Sequence, residues 1–390
     1  MSDNWGTLEA FGMYSVKKYG SKSPEKRMGL QMLSSGVLAV GLCAGGAFGG
    51  EPLSLFGYDF ALVGDPGNRN TIDEELDKWT MGAVVGAVDY EFRMATLEVT
   101  VGQYFEFAEL YHPYYTINTG NVFGFSDFTG GDIDLAWGEI MLRPGVSPNK
   151  PINLGWEYAT RYVNWLHNGK VNEEWAFESG VYDTSTYTEN DDGTWNHQID
   201  HDPGARFWLP TRDEWTKAGY WDPELNDGEG GYHRFPNGSS IESLPTIERN
   251  SGQPPEYPID VSQYPDIQSP WGIMDMAGGV SEWTGSMIGT NQHRRYLMGS
   301  AYWNNSYDYL FQEDRIGGRR GGTVYNGNGG IRLVATAYAP TDLNQDGRVN
   351  YFDISLFIRW FINGDERADF RLDGVFDLDD VRVFLGLVEV

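Results

Sequence analysis

Two acidic loops near the C-terminus carry the side chains best suited to bind a metal ion. The first runs from Asp342 to Asp353, with oxygen-bearing side chains at loop positions 1, 3, 5, 9 and 12 and Gly347 at position 6. Calcium binds several oxygen ligands at about 2.3–2.6 Å, and a glycine at position 6 permits the sharp turn that gathers them. The predicted ligands are Asp342, Asn344, Asp346, Asn350 and Asp353, with the backbone carbonyl of Arg348 at position 7.

The second loop, from Asp369 to Asp380, repeats this pattern with one change. Arg371 stands at position 3, where a carboxylate or amide is usual, so we expect weaker calcium binding there. The predicted ligands are Asp369, Asp373, Asp377 and Asp380, with the carbonyl of Val375 at position 7. An acidic, solvated tail is the alternative, but two loops in matching register with a central glycine disfavour it.

Each loop leads into an apolar segment with helical spacing, Ile354–Ile362 after the first and Val381–Val388 after the second. Paired loop–helix units of this kind resemble dockerin modules, over roughly residues 342–388. The resemblance implies a small all-α, EF-hand-like module spanning residues 338–390, calcium-dependent folding, and docking on a cohesin-like protein partner. A calcium-stabilised terminal cap without a partner is the alternative.

The start of the chain predicts export. Lys22, Lys26 and Arg27 precede an apolar stretch, Met32–Gly49, that ends in small residues. These are the three parts of a secretory signal. We therefore expect residues 1–49 to be a leader, the protein to be secreted or held at a cell surface, and the mature chain to lack a transmembrane segment. The five glycines of this stretch disfavour the alternative of a buried helix, because each costs a helix about 1 kcal/mol.

Charge and cysteine content narrow the class further. The formal net charge is −28, which excludes nucleic acid as an expected partner because the phosphate backbone attracts basic proteins. Cys43 is the sole cysteine and falls within the predicted leader, so the mature chain is expected to contain none. A lipoprotein role for Cys43 is disfavoured, since Leu42 occupies the position where a small residue is expected. A chain of 390 residues is long enough to fold without disulfides.

The region between the leader and the acidic loops reads as an irregular α+β domain, residues 56–337. Helical spacing of apolar residues predicts helices over Thr100–Tyr111 and Gly155–His167. A third helix is expected after Pro210, where Thr211 and Glu214 have the spacing of a capping box. The remainder has the composition of short strands and loops, and residues 182–204 are expected to form an exposed excursion.

A series of short motifs in this region resembles the formylglycine-generating, or sulfatase-modifying factor, family. The resemblance covers about residues 60–337 and implies an irregular fold related to C-type lectins. The motifs, in order, are Val63–Asn68, Ala87–Arg93, Leu97–Thr100, Arg206–Trp215, Ser269–Trp283 and Gly330–Leu333.

The family resemblance implies a redox enzyme, but the expected metal ligands are missing. Formylglycine-generating members hold copper on two cysteines shortly after an Arg-Gly-Gly-Ser run, and the matching stretch, Arg295–Trp303 and onward to Arg315, has none. Cu(I) requires soft thiolate ligands, so copper and cysteine oxidation are not expected. In the ergothioneine-type branch, histidines hold iron. His197 and His201 have the i, i+4 spacing of a metal pair, although a solvated polar loop is the alternative.

The family also implies a calcium ion in the core. It is held by backbone carbonyls and a glutamate in a Gly-Asn-x-x-Glu-Trp motif, which matches Gly278–Trp283 here with Gly279 in place of the asparagine. The implied ligands are Glu282 and the carbonyls of Gly278 and Val280, with Asn250 from a companion loop. A buried cap or salt-bridge role for Glu282 is the alternative.

Three functional hypotheses follow. The main one is a secreted, calcium-tethered component without oxidase activity that binds a glycan or peptide through the flat faces of aromatic rings; the candidate rings are Trp137, Trp195, Trp208 and Tyr302. A position in the core is the alternative for most of these rings. The alternative is a metal-dependent oxidoreductase of the same superfamily with an unrecognised site. The third is a purely structural assembly component.

Removing two predicted ligands tests the first acidic loop. We expect the double variant Asp342→Ala, Asp346→Ala to be cleaved faster after residue 340, because a loop that loses its calcium unfolds more readily. Limited proteolysis with and without calcium measures the effect. Digestion that does not depend on calcium in the unmodified chain would contradict the prediction.

Overall fold

The computed structural model describes most of the chain beyond the predicted leader, which itself lies outside the described residues. Residues 46–390 form one compact unit. Among the described residues, no helix is long and apolar enough to cross a membrane. The described ranges are 53–76, 84–115, 128–136, 139–191, 195–198, 200–238, 260–289, 291–301, 320–323 and 329–388.

The strands in these ranges are short and pair in an antiparallel manner. They are β1 Leu53–Leu55, β2 Tyr58–Val63, β3 Phe92–Ala95, β4 Ile133–Ala136, β5 Glu139–Leu142, β6 Thr188–Glu189, β7 Trp195–Asn196, β8 Phe207–Trp208, β9 Trp221–Asp222, β10 Gly231–Tyr232, β11 Glu282–Ile288, β12 Asn291–Met298, β13 Arg320–Thr323 and β14 Val334–Thr336. The main sheet has the order β1-β2-β3-β14-β8, and a second sheet has the order β11-β12-β13. Three two-stranded ribbons, β4-β5, β6-β7 and β9-β10, complete the set.

The helices lie around these sheets. They are α1 Val101–Tyr111, α2 Trp156–His167, α3 Glu174–Glu178, α4 Arg212–Tyr220, α5 Tyr351–Asn363 and α6 Leu378–Leu387. Short 3₁₀ turns lie at Thr184–Thr186 and Glu366–Ala368. The segment Leu225–Gly228 is a turn rather than a helix, because Asn226 and Asp227 both have positive φ. The expected mixture of helices and short strands is present.

Local sequence explains where the helices begin. The side chain of Thr211 accepts from the backbone N–H of Glu214, and the side chain of Glu214 accepts from the backbone N–H of Thr211. The predicted capping box therefore caps α4. Thr100 and Gln103 form the same arrangement before α1. Such caps satisfy backbone N–H groups that have no partner within the helix. The predicted helices over residues 100–111 and 155–167 are confirmed, each beginning one residue later.

Aromatic side chains fill the interior. Tyr104, Phe107, Tyr162 and Trp165 are all fully buried, and the Phe107 ring lies 5.5 Å from Tyr162 and 5.8 Å from Trp165. Offset and edge-to-face rings at these separations each add about 0.5–1.5 kcal/mol beyond their burial. This cluster joins α1 to α2 and holds both helices against the main sheet.

The excursion predicted over residues 182–204 is partly buried, which corrects the expectation of an exposed loop. Tyr182 is 1% exposed and its hydroxyl accepts from the backbone of Leu209. His197 is 5% exposed and lies against the ring of Tyr187. The apolar faces of these rings outweigh the polar residues between them, so the β6-β7 ribbon folds back onto the body.

The C-terminal segment packs against the same core. Phe357 of α5 and Phe384 of α6 stack with ring centres 4.1 Å apart, and Phe370 meets both rings edge-on at 5.2 Å. These side chains belong to one hydrophobic cluster with the core of the main domain. The boundary at residues 337 and 338 stays a prediction, and within the compact unit the two parts touch closely.

Gly386 provides a test of this contact. A Cβ atom at Gly386 would lie 2.5 Å from the carbonyl oxygen of Gly169, so Gly386→Ala must separate α6 from the main domain. We expect a loss of about 1–3 kcal/mol of stability despite the better helix propensity of alanine. Thermal unfolding and protease sensitivity of residues 338–390 measure it.

Gly64→Ala is the matched control, because its Cβ would have only ordinary contacts at 3.7 Å. Equal stability of the two variants would show that α6 is not tightly seated.

Candidate functional site

The two acidic loops have the same backbone hydrogen-bonding pattern. At position 1, Asp342 accepts from the N–H groups of Asp346 and Gly347 at 3.1 and 2.8 Å. Asp369 accepts from the equivalent N–H groups, those of Asp373 and Gly374, at 3.1 and 2.7 Å. The loops are therefore structural repeats, as their sequence register predicted.

The last position of each loop closes it and starts the following helix. Asp353 accepts from the backbone N–H of Asn344 at 3.2 Å with one oxygen and from that of Asn350 at 2.8 Å with the other. Asp380 accepts from Arg371 at 3.1 Å and from Asp377 at 2.9 Å in the same way. In this arrangement the acid at position 12 joins both ends of its loop.

The remaining predicted ligands lie where the loop register places them. Asn350 donates to the carbonyl of Arg348 at 3.2 Å and caps α5, and the backbone N–H of Val375 donates to Asp373 at 2.9 Å. Each of these residues thus bonds within its own loop. Among the described residues, no three His, Cys, Asp or Glu side chains come close enough together to hold a metal ion. Calcium in the loops stays a prediction.

The second loop differs from the first in the charged groups around it. The guanidinium of Arg371 lies 2.9 Å from the carboxylate of Asp373 and 4.3 Å from the ring centre of Trp175. Arg206, from the main domain, donates to the carbonyl of Phe370 at 2.8 Å. Burial lowers the pKa of Arg206 to about 9, although Asp369 and other nearby acids oppose the shift. Two protein cations therefore reach this loop.

The core site implied by the family contains a buried ion pair. Glu282 is 1% exposed, and Arg332, fully buried, donates to its two oxygens at 2.7 to 2.9 Å. The indole of Trp215 also donates to Glu282, at 2.6 Å. Glu282 is thus a salt-bridge carboxylate, which is the alternative that the sequence left open. Calcium at this position stays a prediction.

The other members of the predicted core set make different contacts. The backbone N–H of Gly278 donates to Ser300 at 2.9 Å, and that of Val280 donates to Glu98 at 3.3 Å. Asn250 lies outside the described residues. Through these two N–H groups, the Gly278–Val280 turn is fixed between Ser300 and a second buried carboxyl group.

Glu98 was not predicted as a functional residue. It is 2% exposed, and burial, reinforced by the nearby carboxylate of Glu282, raises its pKa well above the usual value. Arg332 opposes the shift but is already paired with Glu282. A lone acid between Leu97 and Val99, just before a capped helix, was the available signal.

The histidines do not form the predicted metal pair. His201 stacks on the ring of Trp208, with ring centres 4.9 Å apart, and its Nδ1 lies 2.9 Å from the carbonyl of Asp202. His197 instead lies 3.5 Å from Glu157. The i, i+4 spacing fails because the segment is not helical.

Trp208 does not offer an exposed face for a ligand, and for this ring the alternative of a core position is the one found. It is 5% exposed, and its indole donates to Glu214 at 3.0 Å. Trp137, Tyr302 and the side chain of Trp195 lie outside the described residues.

The strand that aligns with the family's copper-binding region is tightly packed at its described end. Arg295 is fully buried, its guanidinium lies 4.7 Å from the ring centre of Trp156, and it donates to the carbonyl of Gln198 at 3.0 Å. Residues 302–315, where the missing cysteines would fall, lie outside the described residues.

A cavity of about 410 Å³ lies where the main domain meets the C-terminal segment. Its lining includes Arg206, Tyr338, Trp360 and Asp369. The volume falls within the range of small-molecule pockets, about 300–1,000 Å³. Aromatic and charged groups thus surround a space next to both acidic loops.

Residues 68–337 match the family described as "Sulfatase-modifying factor enzyme 1-like domain". The chain belongs to this family. The family assignment places the strands β3, β8 and β14, the buried Glu282–Arg332 pair and the Gly278–Val280 turn within one known domain type. It confirms the family resemblance of the main domain. The dockerin-like assignment of the C-terminal segment stays a prediction.

One relative from Mycolicibacterium smegmatis, named hercynine oxygenase, is 42% identical over 85 residues. The match covers 22% of this chain and 18% of the relative, so the chain spans less than a fifth of that relative's length. The crystal structure of CarF is similar with a TM-score of 0.43 and 19% identity, covering 72% of this chain and 99% of CarF. PvdO from Pseudomonas aeruginosa has a TM-score of 0.43 and 14% identity, covering 74% and 98%.

Two single substitutions should separate the roles of the buried acids. Because the pKa of Glu98 is raised on folding, its contribution to stability is fully present below the unfolded value of about 4.3 and is lost as the pH rises. Glu98→Gln should therefore stabilise the protein at pH 7 and have little effect near pH 4. Each pKa unit of elevation corresponds to about 1.4 kcal/mol.

Glu282→Gln is the matched control. It weakens the pairing of the buried Arg332 and should cost about 3–5 kcal/mol at pH 7. Denaturant unfolding at the two pH values measures both variants. A loss at pH 7 as large for Glu98→Gln as for Glu282→Gln would contradict the assignment of a protonated Glu98.

Proposed function

We propose that the chain is a metal-dependent oxidoreductase of the sulfatase-modifying factor superfamily. The observation that carries the proposal is the family match over residues 68–337. The 85-residue stretch that is 42% identical to a hercynine oxygenase supports it further. Both observations favour the oxidoreductase hypothesis over a role without catalysis.

The described residues do not fit the metal centres of the family. Copper in that arrangement requires two cysteines, and Cys43 is the sole cysteine of the chain. Iron held by histidines requires several of them together, and no three metal-binding side chains meet in the described ranges. We therefore derive no catalytic step through a metal. The proposal concerns the class of reaction, an oxidation that uses dioxygen.

The chain's own residues supply a rigid support for such a site. Arg295 holds the strands β11 and β12 together through the carbonyl of Gly285, at 2.5 Å, and lies over the ring of Trp156. Ser300 lies two residues after the end of β12 and accepts from Gly278 at 2.9 Å. Buried, hydrogen-bonded positions of this kind hold functional side chains in a fixed geometry.

A second candidate function is a calcium-stabilised binding component. The observation that favours it is the shared hydrogen-bonding pattern at positions 1 and 12 of the two acidic loops, with the cavity of about 410 Å³ beside them. In this proposal the protein is exported, the first loop holds calcium, and the cavity takes a glycan or peptide. A cohesin-like partner would bind the C-terminal module.

Metal content and oxygen uptake distinguish the two functions. For the oxidoreductase, we expect a stoichiometric redox-active transition metal in the purified chain and oxygen uptake with hercynine or with a cysteine-containing peptide as probe. A chelator should abolish the uptake, and the same metal should restore it. Elemental analysis and an oxygen electrode provide the measurements.

Cys43→Ala is the control, because activity that survives it does not depend on a thiol of the chain. Calcium as the sole bound metal, together with no oxygen uptake after loading with iron or copper, would contradict the oxidoreductase proposal. That result would favour the calcium-stabilised binding component.

A further inference from the structure

Position 3 is where the two acidic loops differ chemically. In the first loop, the side-chain amide of Asn344 donates to Asp346 at 3.1 Å. In the second, Arg371 reaches the matching oxygen of Asp373 at 2.9 Å. The two side chains thus have the same neighbour, but Asn344 also carries an oxygen that can bind a cation. A guanidinium carries donors alone and a permanent positive charge.

The guanidinium of Arg371 is fixed from outside the loop. It lies 4.3 Å from the ring centre of Trp175, which belongs to α3 of the main domain. A second carboxylate, that of Asp379, lies 3.8 Å away. An aromatic face on one side and two carboxylates on the other hold the cation in place.

A second cation reinforces the first. The guanidinium of Arg206 lies 3.6 Å from the ring centre of Phe370 and donates to the carbonyl of that residue. Arg206 lines the same cavity as Asp369, which is position 1 of the loop. The positive charges that balance the second loop therefore come from the protein.

We propose that the second loop takes no calcium, because the guanidinium of Arg371 replaces the ion. This inference rests on the proposed calcium binding of the first loop. It gives the two loops different responses to calcium. The first loop then responds to calcium, whereas the second remains closed at any calcium concentration.

The contacts of α6 with the main domain fit this difference between the two loops. Arg382 pairs with Glu173 at 3.3 Å, and Gly386 lies directly against the backbone of Gly169. In α5, which follows the first loop, the residue at the position of Gly386 is Arg359, which is exposed. Calcium removal should therefore loosen α5 and its loop while α6 stays seated.

Counting bound calcium tests the proposal. Native mass spectrometry of the full chain with excess calcium should show one ion per chain, and Asp342→Ala, Asp346→Ala should remove it. Arg371→Asn restores an oxygen at position 3 and should raise the count to two. Arg371→Asp serves the same purpose with a carboxylate if the asparagine variant folds poorly.

Arg367→Asn is the matched control, because Arg367 is exposed, lies between the two loops and pairs with Asp365 outside them. It should leave the count at one. Two calcium ions on the unmodified chain, one of them lost in Asp369→Ala, would overturn the inference, and so would an unchanged count in both Arg371 variants.

A different result would refute calcium binding by the first loop without refuting the role of Arg371. No calcium on the unmodified chain would refute calcium binding by the first loop, while a gain of one ion in Arg371→Asn would still support the replacement by arginine.

Discussion

The ion pair between Glu282 and Arg332 joins parts of the main domain that are far apart in the sequence. Glu282 begins β11, and Arg332 lies just before β14 in the other sheet. Arg332 also donates to the carbonyls of Ala95 and Asp275 at 3.0 and 3.2 Å, and Glu282 accepts from Trp215 of α4. One buried pair therefore fixes the relative positions of both sheets, a helix and the Gly278–Val280 turn.

A buried ion pair of this kind contributes more to the uniqueness of the structure than to its net stability. A buried ion pair costs desolvation that its attraction only partly offsets, yet removal of one partner leaves a charge without compensation. Here a single guanidinium faces Glu282, Glu98 and Asp275, and burial raises the pKa of both Glu98 and Asp275. The excess of acids over cations means that Glu98 is best accommodated with its proton. The core thus tolerates few alternative arrangements of these groups.

The sequence predicted what depends on neighbouring residues and missed what depends on distant ones. The capping box of Thr211 and Glu214 and the helical spacing over residues 155–167 require only local contacts, and both are found. The pairing of Glu282 with Arg332 spans 50 residues, and the approach of Glu98 to Val280 spans 182. No local pattern encodes these separations. His197 shows the opposite error, because a polar segment was expected to be solvated and its aromatic neighbours bury it.

The two acidic repeats show how a duplicated unit acquires separate roles through a few substitutions. Their backbones and closing carboxylates are equivalent, so the loop fold alone does not decide what each one binds. The second repeat carries Arg371 and Gly386 where the first has Asn344 and Arg359, and both second-repeat residues meet the main domain. A glycine allows the close approach of α6, and that approach brings Trp175 within reach of Arg371. Docking and charge compensation in the second repeat are therefore consequences of one another, whereas the first repeat keeps oxygen-bearing side chains at positions 1, 3, 5, 9 and 12, the type of ligand that calcium binds.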